Sequence, residues 1–447
     1  MRMHLLISAA ILLSVADTAQ SQGVEPTAGT WHTWAISNLA SYRLPPPPSH
    51  GQSQAEAKKL EMLALQRDAE AVAAVRFFDS GSPAYRWIQT AQQEVTSHNL
   101  GGPGGTRAMS LVAVALNDTM IAAWDSKYAY NRLRPTEIDK QLTTLIAVPH
   151  SPSYPSEHAA AAGVAAAVLG YLFPDHKANF DSMAESAGQS RLIAGTEFPS
   201  DVSAGLSLGQ SIGDAVIARA KSDGFDSVFI GSFPPMTGVW SNSNPVYPLA
   251  GSWKPWALSS GSQLRLPPPP DFGTDEFQAQ VNALKEFGRT VASNHTAWFW
   301  QPSFIDPWID SVNQLLFENH LDRNPPKAAQ IYALVMIAQH DASIACWDTK
   351  YSYLELRPTM ADAAITTLFP TPAHPSYPSG HACASAAAAG ALSAVFPDSA
   401  SAFVDRGREA GLSTFYAGIH FLIDVDQGLV LGNAVAQIVV HQAGVAQ

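Results

Sequence analysis

The segment Trp124-Asp125-Ser126-Lys127-Tyr128-Ala129-Tyr130 returns 223 residues later as Trp347-Asp348-Thr349-Lys350-Tyr351-Ser352-Tyr353. Across Asp118–Pro135 and Asp341–Pro358, 11 of 18 positions are identical, which excludes chance similarity. Pro155-Ser156-Glu157-His158 and Pro378-Ser379-Gly380-His381 keep the same spacing, as do Asp201 and Asp424. Upstream, Arg43-Leu44 and Arg265-Leu266, each followed by four prolines, lie 222 apart. A spacing that drifts by one residue over so long a stretch means two copies of one fold. A solenoid would need shorter periods and at least three units.

Length and composition agree with two sizeable cores. The chain has 447 residues, 46% hydrophobic and 14% charged, enough apolar material to exclude disorder. Its net charge of −12 argues against nucleic acid or an anionic membrane as partner. Any anion site must be a local basic pocket. Arg2 precedes an apolar run, Leu5 to Ala16, that is too short to span a bilayer and reads as a signal peptide over residues 1–21. The expected product is secreted or periplasmic, with no integral membrane segment in the mature chain. Residues 22–223 and 252–447 are the expected repeats, joined by a linker at 224–251 rich in Pro, Gly, Ser and Asn. The only cysteines, Cys346 and Cys383, suit either a disulfide or two small core residues.

Strand-like alternation is nearly absent. Apolar residues at three- and four-residue spacing predict helices over 55–75, 108–130, 157–173, 177–193 and 202–220, and over 275–291, 328–353, 380–396, 399–412 and 425–442. The expected class is all-α: two tandem helical bundles.

Several repeated residues carry chemistry. Lys350 and Arg357, seven apart, are expected on one side of a helix end, where Arg357 can offer its planar fork to a tetrahedral anion. Ser379 precedes an Ala-rich helix whose free N–H groups favour an anion, and Gly380 allows close backbone approach. His381 then sits beside that anion as a candidate acid or base. His420 and Asp424, read as an i, i+4 helical pair, make a His of fixed tautomer that can attack phosphorus or ligate a metal oxyanion.

The order Lys350, Arg357-Pro358, Pro378-Ser379-Gly380-His381, His420 and Asp424 resembles the signature of the type 2 phosphatidic acid phosphatases, a superfamily that shares its site with the vanadium-dependent haloperoxidases. The likeness covers residues 28–440 and leans to the haloperoxidase branch. It implies vanadate held through Lys350, Arg357, Ser379 and the Gly380 N–H, with His420 on vanadium and His381 as acid–base. Trp347 and His374 fall at that branch's halide pocket. Peroxide and halide would then be the small-molecule substrates. The same motif also suits an acid phosphatase with no cofactor, in which His420 attacks a phosphomonoester. A catalytically silent oxyanion-binding protein is a third reading.

Each copy departs from the signature. In the second, Thr414 stands where an Arg is expected, which removes a charge-assisted contact of about 1.5–3 kcal/mol. The first keeps Lys127, Arg134, Ser156, His158, Arg191 and Asp201 but has Glu197 in place of the second His and Glu157 in place of the Gly. These two carboxylates are expected to neutralise Lys127, Arg134 and Arg191, leaving a filled, degenerate site.

Overall fold

The computed structural model describes residues 24–445, so the expected signal peptide lies outside the described residues. Two 29-residue helices, Gly102–Tyr130 and Pro325–Tyr353, run through the middle of the molecule and pack against each other. Both are buried along nearly their whole length, and one continuous apolar core includes residues of both halves, such as Met109 and Ile337. Around each long helix stand three further helices: Glu157–Leu172, Lys177–Ala194 and Pro199–Ala220 in the first half, Gly380–Val395, Ala400–Tyr416 and Leu422–Gln442 in the second. Among the described residues there is no strand, only isolated bridges such as Phe233 with Asn242.

The duplication extends to buried polar detail. Asp118 accepts from the N–H groups of Trp34, Ala35 and Ile36, and Asp341 does the same for Trp256, Ala257 and Leu258. Each Asp therefore ties an irregular leading segment to its long helix. The Ala-rich helices meet the last helix of each half at backbone distance. A methyl added at Gly209 would collide with the Ala160 carbonyl, and one at Gly432 with the Cys383 carbonyl. That close approach seats the helix that begins at Ser379 against the segment carrying Asp424.

The helix expected over 55–75 is two helices, His50–Ala64 and Ala69–Asp79, because Asp68 caps the second by accepting from the Ala71 N–H at 2.8 Å. Likewise 275–291 ends at Glu286, and Thr290 caps a new helix, Val291–Trp300. Helices Tyr85–Ser97 and Asp306–Glu318 were not foreseen. The first long helix starts at Gly102 rather than Ala108: Pro103 fits a first turn, where its missing N–H costs nothing. Leu422–Gln442 is long and apolar enough to cross a membrane by length and composition, and here it packs against Gly380–Val395. Cys346 and Cys383 are free, buried thiols in contact with each other.

Candidate active site

The two expected sites differ in how their cations are satisfied. In the second half the long helix ends at Tyr353, and Leu354 turns the chain through the left-handed region at φ 53°. Lys350 thus lies in the last helical turn, whereas Arg357 lies beyond it in extended backbone. They converge through that turn, not along one helical face as the spacing implied. The Lys350 ammonium donates to the carbonyls of Pro375 (2.9 Å), Ser376 (2.7 Å) and Pro378. Burial lowers its pKa to about 8. Arg357 donates from Nε to the His374 carbonyl (2.8 Å) and from one terminal nitrogen to the Ile419 carbonyl (2.7 Å).

The same terminal nitrogen of Arg357 meets His420 Nε2 at 3.0 Å, and its other terminal nitrogen meets His374 Nδ1 at 3.0 Å. His420 is not on the last helix; it sits in the turn just before Phe421, which caps that helix. The pair with Asp424 forms nonetheless, Nδ1 lying 2.9 Å from Oδ2. Asp424 Oδ2 also accepts from the Phe421 N–H (3.0 Å) and the Ser376 hydroxyl (2.6 Å). Burial and the charges of Arg357 and Lys350 hold His420 well below its usual pKa, so it is neutral. With Nδ1–H given to the carboxylate, Nε2 keeps a lone pair beside Arg357.

Ser379 is the N-cap of Gly380–Val395, and its hydroxyl lies 3.2 Å from that of Thr414, which in turn donates to the Gly411 carbonyl at 2.8 Å. The first amides of this helix have no intrahelical acceptor. His381 Nε2 meets the Trp300 carbonyl at 3.1 Å, and burial lowers its pKa to about 4. Gly380 is also needed by its neighbour: a Cβ there would press on the Trp347 ring at 3.2 Å. Trp347 and His374 pack together with ring centroids 4.9 Å apart. His374, Gly380, His381 and His420 form the floor of a cavity of about 810 Å³. Its walls come from both halves, including Leu100 and Phe304, and from Val246 and Tyr247 of the 224–251 segment. Lys350, Arg357, Ser379 and Thr414 lie buried behind that floor.

The first half shows the filled counterpart. Glu157 lies 2.7 Å from the Lys127 ammonium and 3.5 Å from Arg134, and Glu197 lies 3.3 Å from Arg134. Burial and the charge of Glu157 raise the Glu197 pKa to about 7. Ser156 caps its helix by accepting from the Ala159 N–H, and His158 Nδ1 is 3.9 Å from Glu157. Asp201 is taken by Arg132 at 2.6 Å. The expectation fails for Arg191. It turns away from both glutamates to Asp79 (3.1 Å) and the Val75 carbonyl (3.3 Å). Counted from the caps Asp68 and Thr290, Gln301 replaces Asp79 in the second half, just as Thr414 replaces Arg191. Both members of that ion pair are gone, and Gln301 lines the cavity instead. Arg406 does not compensate, since it stacks near Trp300 and Trp308, and Arg408 is exposed.

Two site residues, Ser376 and Glu355, escaped the sequence reading, and His374 has a contact beyond its expected place at the halide pocket. Ser376 holds Asp424, and its repeat in Pro-Ser-Tyr-Pro-Ser at 152–156 and 375–379 was a usable signal. Glu355 stands where Arg132 stands in the first copy. Burial and the Asp424 charge push its carboxyl well above the usual range, and its Oε2, like Asp424 Oδ1, has no other partner. His374 braces Arg357 as Ser151 braces Arg134.

The model of the PAP2 superfamily matches residues 107–221 and 328–446, more than half of the chain and once in each repeat. The chain belongs to the PAP2 superfamily. This PAP2 protein has the fold of a bacterial vanadium-dependent iodoperoxidase, with TM-score 0.65 and 21% identity over 81% of this chain and 96% of that one. It also matches a bacterial vanadium-dependent chloroperoxidase in its holo form, with TM-score 0.58 and 15% identity over 77% and 93% of the two chains. The apo form of such a chloroperoxidase gives the same TM-score and identity. Comparison with curated proteins finds no match.

Proposed function

We propose that this chain, an enzyme of the haloperoxidase or phosphatase type by its family, holds vanadate in the second-half pocket and oxidises halide with hydrogen peroxide. The observation that carries the reading is His420: a neutral ring, fixed by Asp424, whose Nε2 lone pair meets Arg357 at 3.0 Å beside a cavity floor. The donor set suits a tetrahedral oxyanion. Arg357 has contacts to His374 and His420 that an anion's oxygens can replace, and Ser379 and the Gly380 N–H stand at a helix start. Bound vanadate would supply the activation of peroxide for oxygen transfer to halide.

The protein's own residues do the remaining work. His420 Nε2 would be the ligand atom for vanadium, and Asp424 keeps the proton on Nδ1. Arg357 carries the fixed positive charge. Lys350 stiffens the loop behind the site through three carbonyls and adds charge at short range. His381, with its Nε2–H committed to the Trp300 carbonyl, is neutral and has Nδ1 free to take a proton from peroxide. Trp347 and His374 pack together in the cavity lining where halide would approach. Export, expected from residues 1–21, belongs to the same proposal.

One assay pair tests it. Vanadate-loaded protein is assayed for bromination of a phenol with peroxide, and vanadate-free protein for p-nitrophenyl phosphate hydrolysis. Bromination that disappears in His420→Ala supports the proposal. Phosphate hydrolysis alone assigns the pocket to a phosphomonoesterase with His420 as nucleophile, and neither activity, even in Thr414→Arg, leaves a silent binding protein.

A further inference from the structure

About the end of helix Tyr85–Ser97, four side chains form a cluster outside the catalytic pocket. Glu94 and His98 stand one turn apart at the helix C-terminus, and Asp175 and His176 come from the short helical turn Pro174–His176. Glu94 Oε2 lies 2.8 Å from His176 Nδ1 and 3.5 Å from His98 Nδ1. The far side of both rings faces Asp175: its Oδ2 is 3.2 Å from His98 Nε2 and 3.8 Å from His176 Nε2. The ring centroids are 5.4 Å apart, and His98 also packs on Phe173 at 4.7 Å. Two imidazoles thus lie between two carboxylates, each ring turning its Nδ1 to one and its Nε2 to the other.

From this geometry we propose that Glu94, His98 and His176 bind a divalent transition-metal ion, Zn²⁺ fitting best, with Asp175 as the outer carboxylate. The three ligand atoms lie within 4.8 Å of one another. Zinc bonds of about 2.0–2.2 Å in tetrahedral geometry need ligand atoms roughly 3.4 Å apart, which small side-chain rotations supply. Imidazole and carboxylate are ligands that zinc accepts, and one position stays open to solvent. Asp175 Oδ2 is within hydrogen-bond reach of His98 Nε2 and can hold that outer nitrogen, while an incoming ion has to replace the contacts of His98 Nδ1 with the Glu94 carbonyl oxygen (2.9 Å) and of His176 Nδ1 with Glu94 Oε2 (2.8 Å). All four side chains are partly exposed, so an ion can enter.

The scaffold does not require this cluster. At the matching helix end and turn the second copy has Leu315, Asn319 and Ser399 in place of Glu94, His98 and His176. The set is therefore particular to the first copy. It also sits next to the working pocket, because Val95, Thr96 and Asn99 line the cavity wall. A bound ion would tie that wall to the Phe173-Pro174 turn.

The test is titration of the full chain with Zn²⁺ by calorimetry, together with the visible spectrum of the Co²⁺-loaded protein. The expected result is one Zn²⁺ per chain and a tetrahedral Co²⁺ band. Asp175→Asn should weaken Zn²⁺ binding about 10–100-fold, and His176→Ala should weaken it further. The double variant His98→Ala/His176→Ala, checked for native circular dichroism, should lose both signals. Undiminished binding in the double variant, or no wild-type binding tighter than millimolar, overturns the proposal.

Discussion

Replacing Glu157 by Gln probes the filled pocket of the first half directly. Its carboxylate faces Lys127 at 2.7 Å and Arg134 at 3.5 Å, with all three side chains almost fully buried. Removing one partner of a buried ion pair costs about 3–5 kcal/mol, because the other charge is stranded. Lys127 retains the Pro152 and Ser153 carbonyls, and Arg134 retains Glu197, so a loss near 3 kcal/mol is expected. Urea unfolding at pH 7 should show a lower midpoint at unchanged slope. The double replacement Lys127→Met/Glu157→Leu removes both charges and should cost less than the two single changes added together. The pH dependence has a definite sign. Burial alone would raise the Glu157 pKa, but Lys127 and Arg134 hold it below the usual range. Its stabilisation is therefore complete above about 4.5, the ordinary Glu value, and is lost as pH falls through the native pKa. Glu157→Gln should lack this acid-side slope. A Gln variant within about 0.5 kcal/mol of wild type, or an additive double variant, would refute the reasoning.

Thr414→Arg should tighten orthovanadate binding roughly 10–100-fold through one added charge-assisted contact; adding Gln301→Asp should cancel the gain by drawing the new Arg into the geometry that Asp79 imposes on Arg191, as equilibrium binding would show. Glu355 has a raised native pKa, so its contribution to stability is present below the ordinary Glu range and lost as pH rises through the native value. Glu355→Gln should flatten the alkaline side of a plot of urea midpoint against pH, and an unchanged alkaline slope would count against a proton held there. Since His381 titrates at about 4, kcat/KM should fall below that pH in wild type, and the limb should vanish in the residual activity of His381→Ala.

The repeat made the architecture legible because each copy supplied a check on the other. The eight principal helices announce themselves by long apolar periodicity, and the site by residues whose order survives duplication. Local capping defeated the rest: Asp68 and Thr290 start helices inside what read as continuous ones, and Gly102-Pro103-Gly104-Gly105, outside the helix expected over 108–130, opens one of the two 29-residue helices. In the site, the convergence of Lys350 with Arg357 depends on a left-handed turn at Leu354, a residue type that gives no sign of it. The Arg191–Asp79 pair joins residues 112 apart, so its replacement by Thr414 and Gln301, the latter lining the cavity, shows only when the two copies are compared in three dimensions. The contribution of residues 246–247 to the cavity wall was likewise invisible in a segment that read as a linker.

The proposed function rests on a single oxyanion site in the second half, with His420 as its ligand. Vanadate titration of the wild-type chain and of His420→Ala, read by ⁵¹V resonance, tests it most directly. One vanadate per wild-type chain and none in His420→Ala is the expected result. Two vanadates per chain, or full binding without His420, would contradict it.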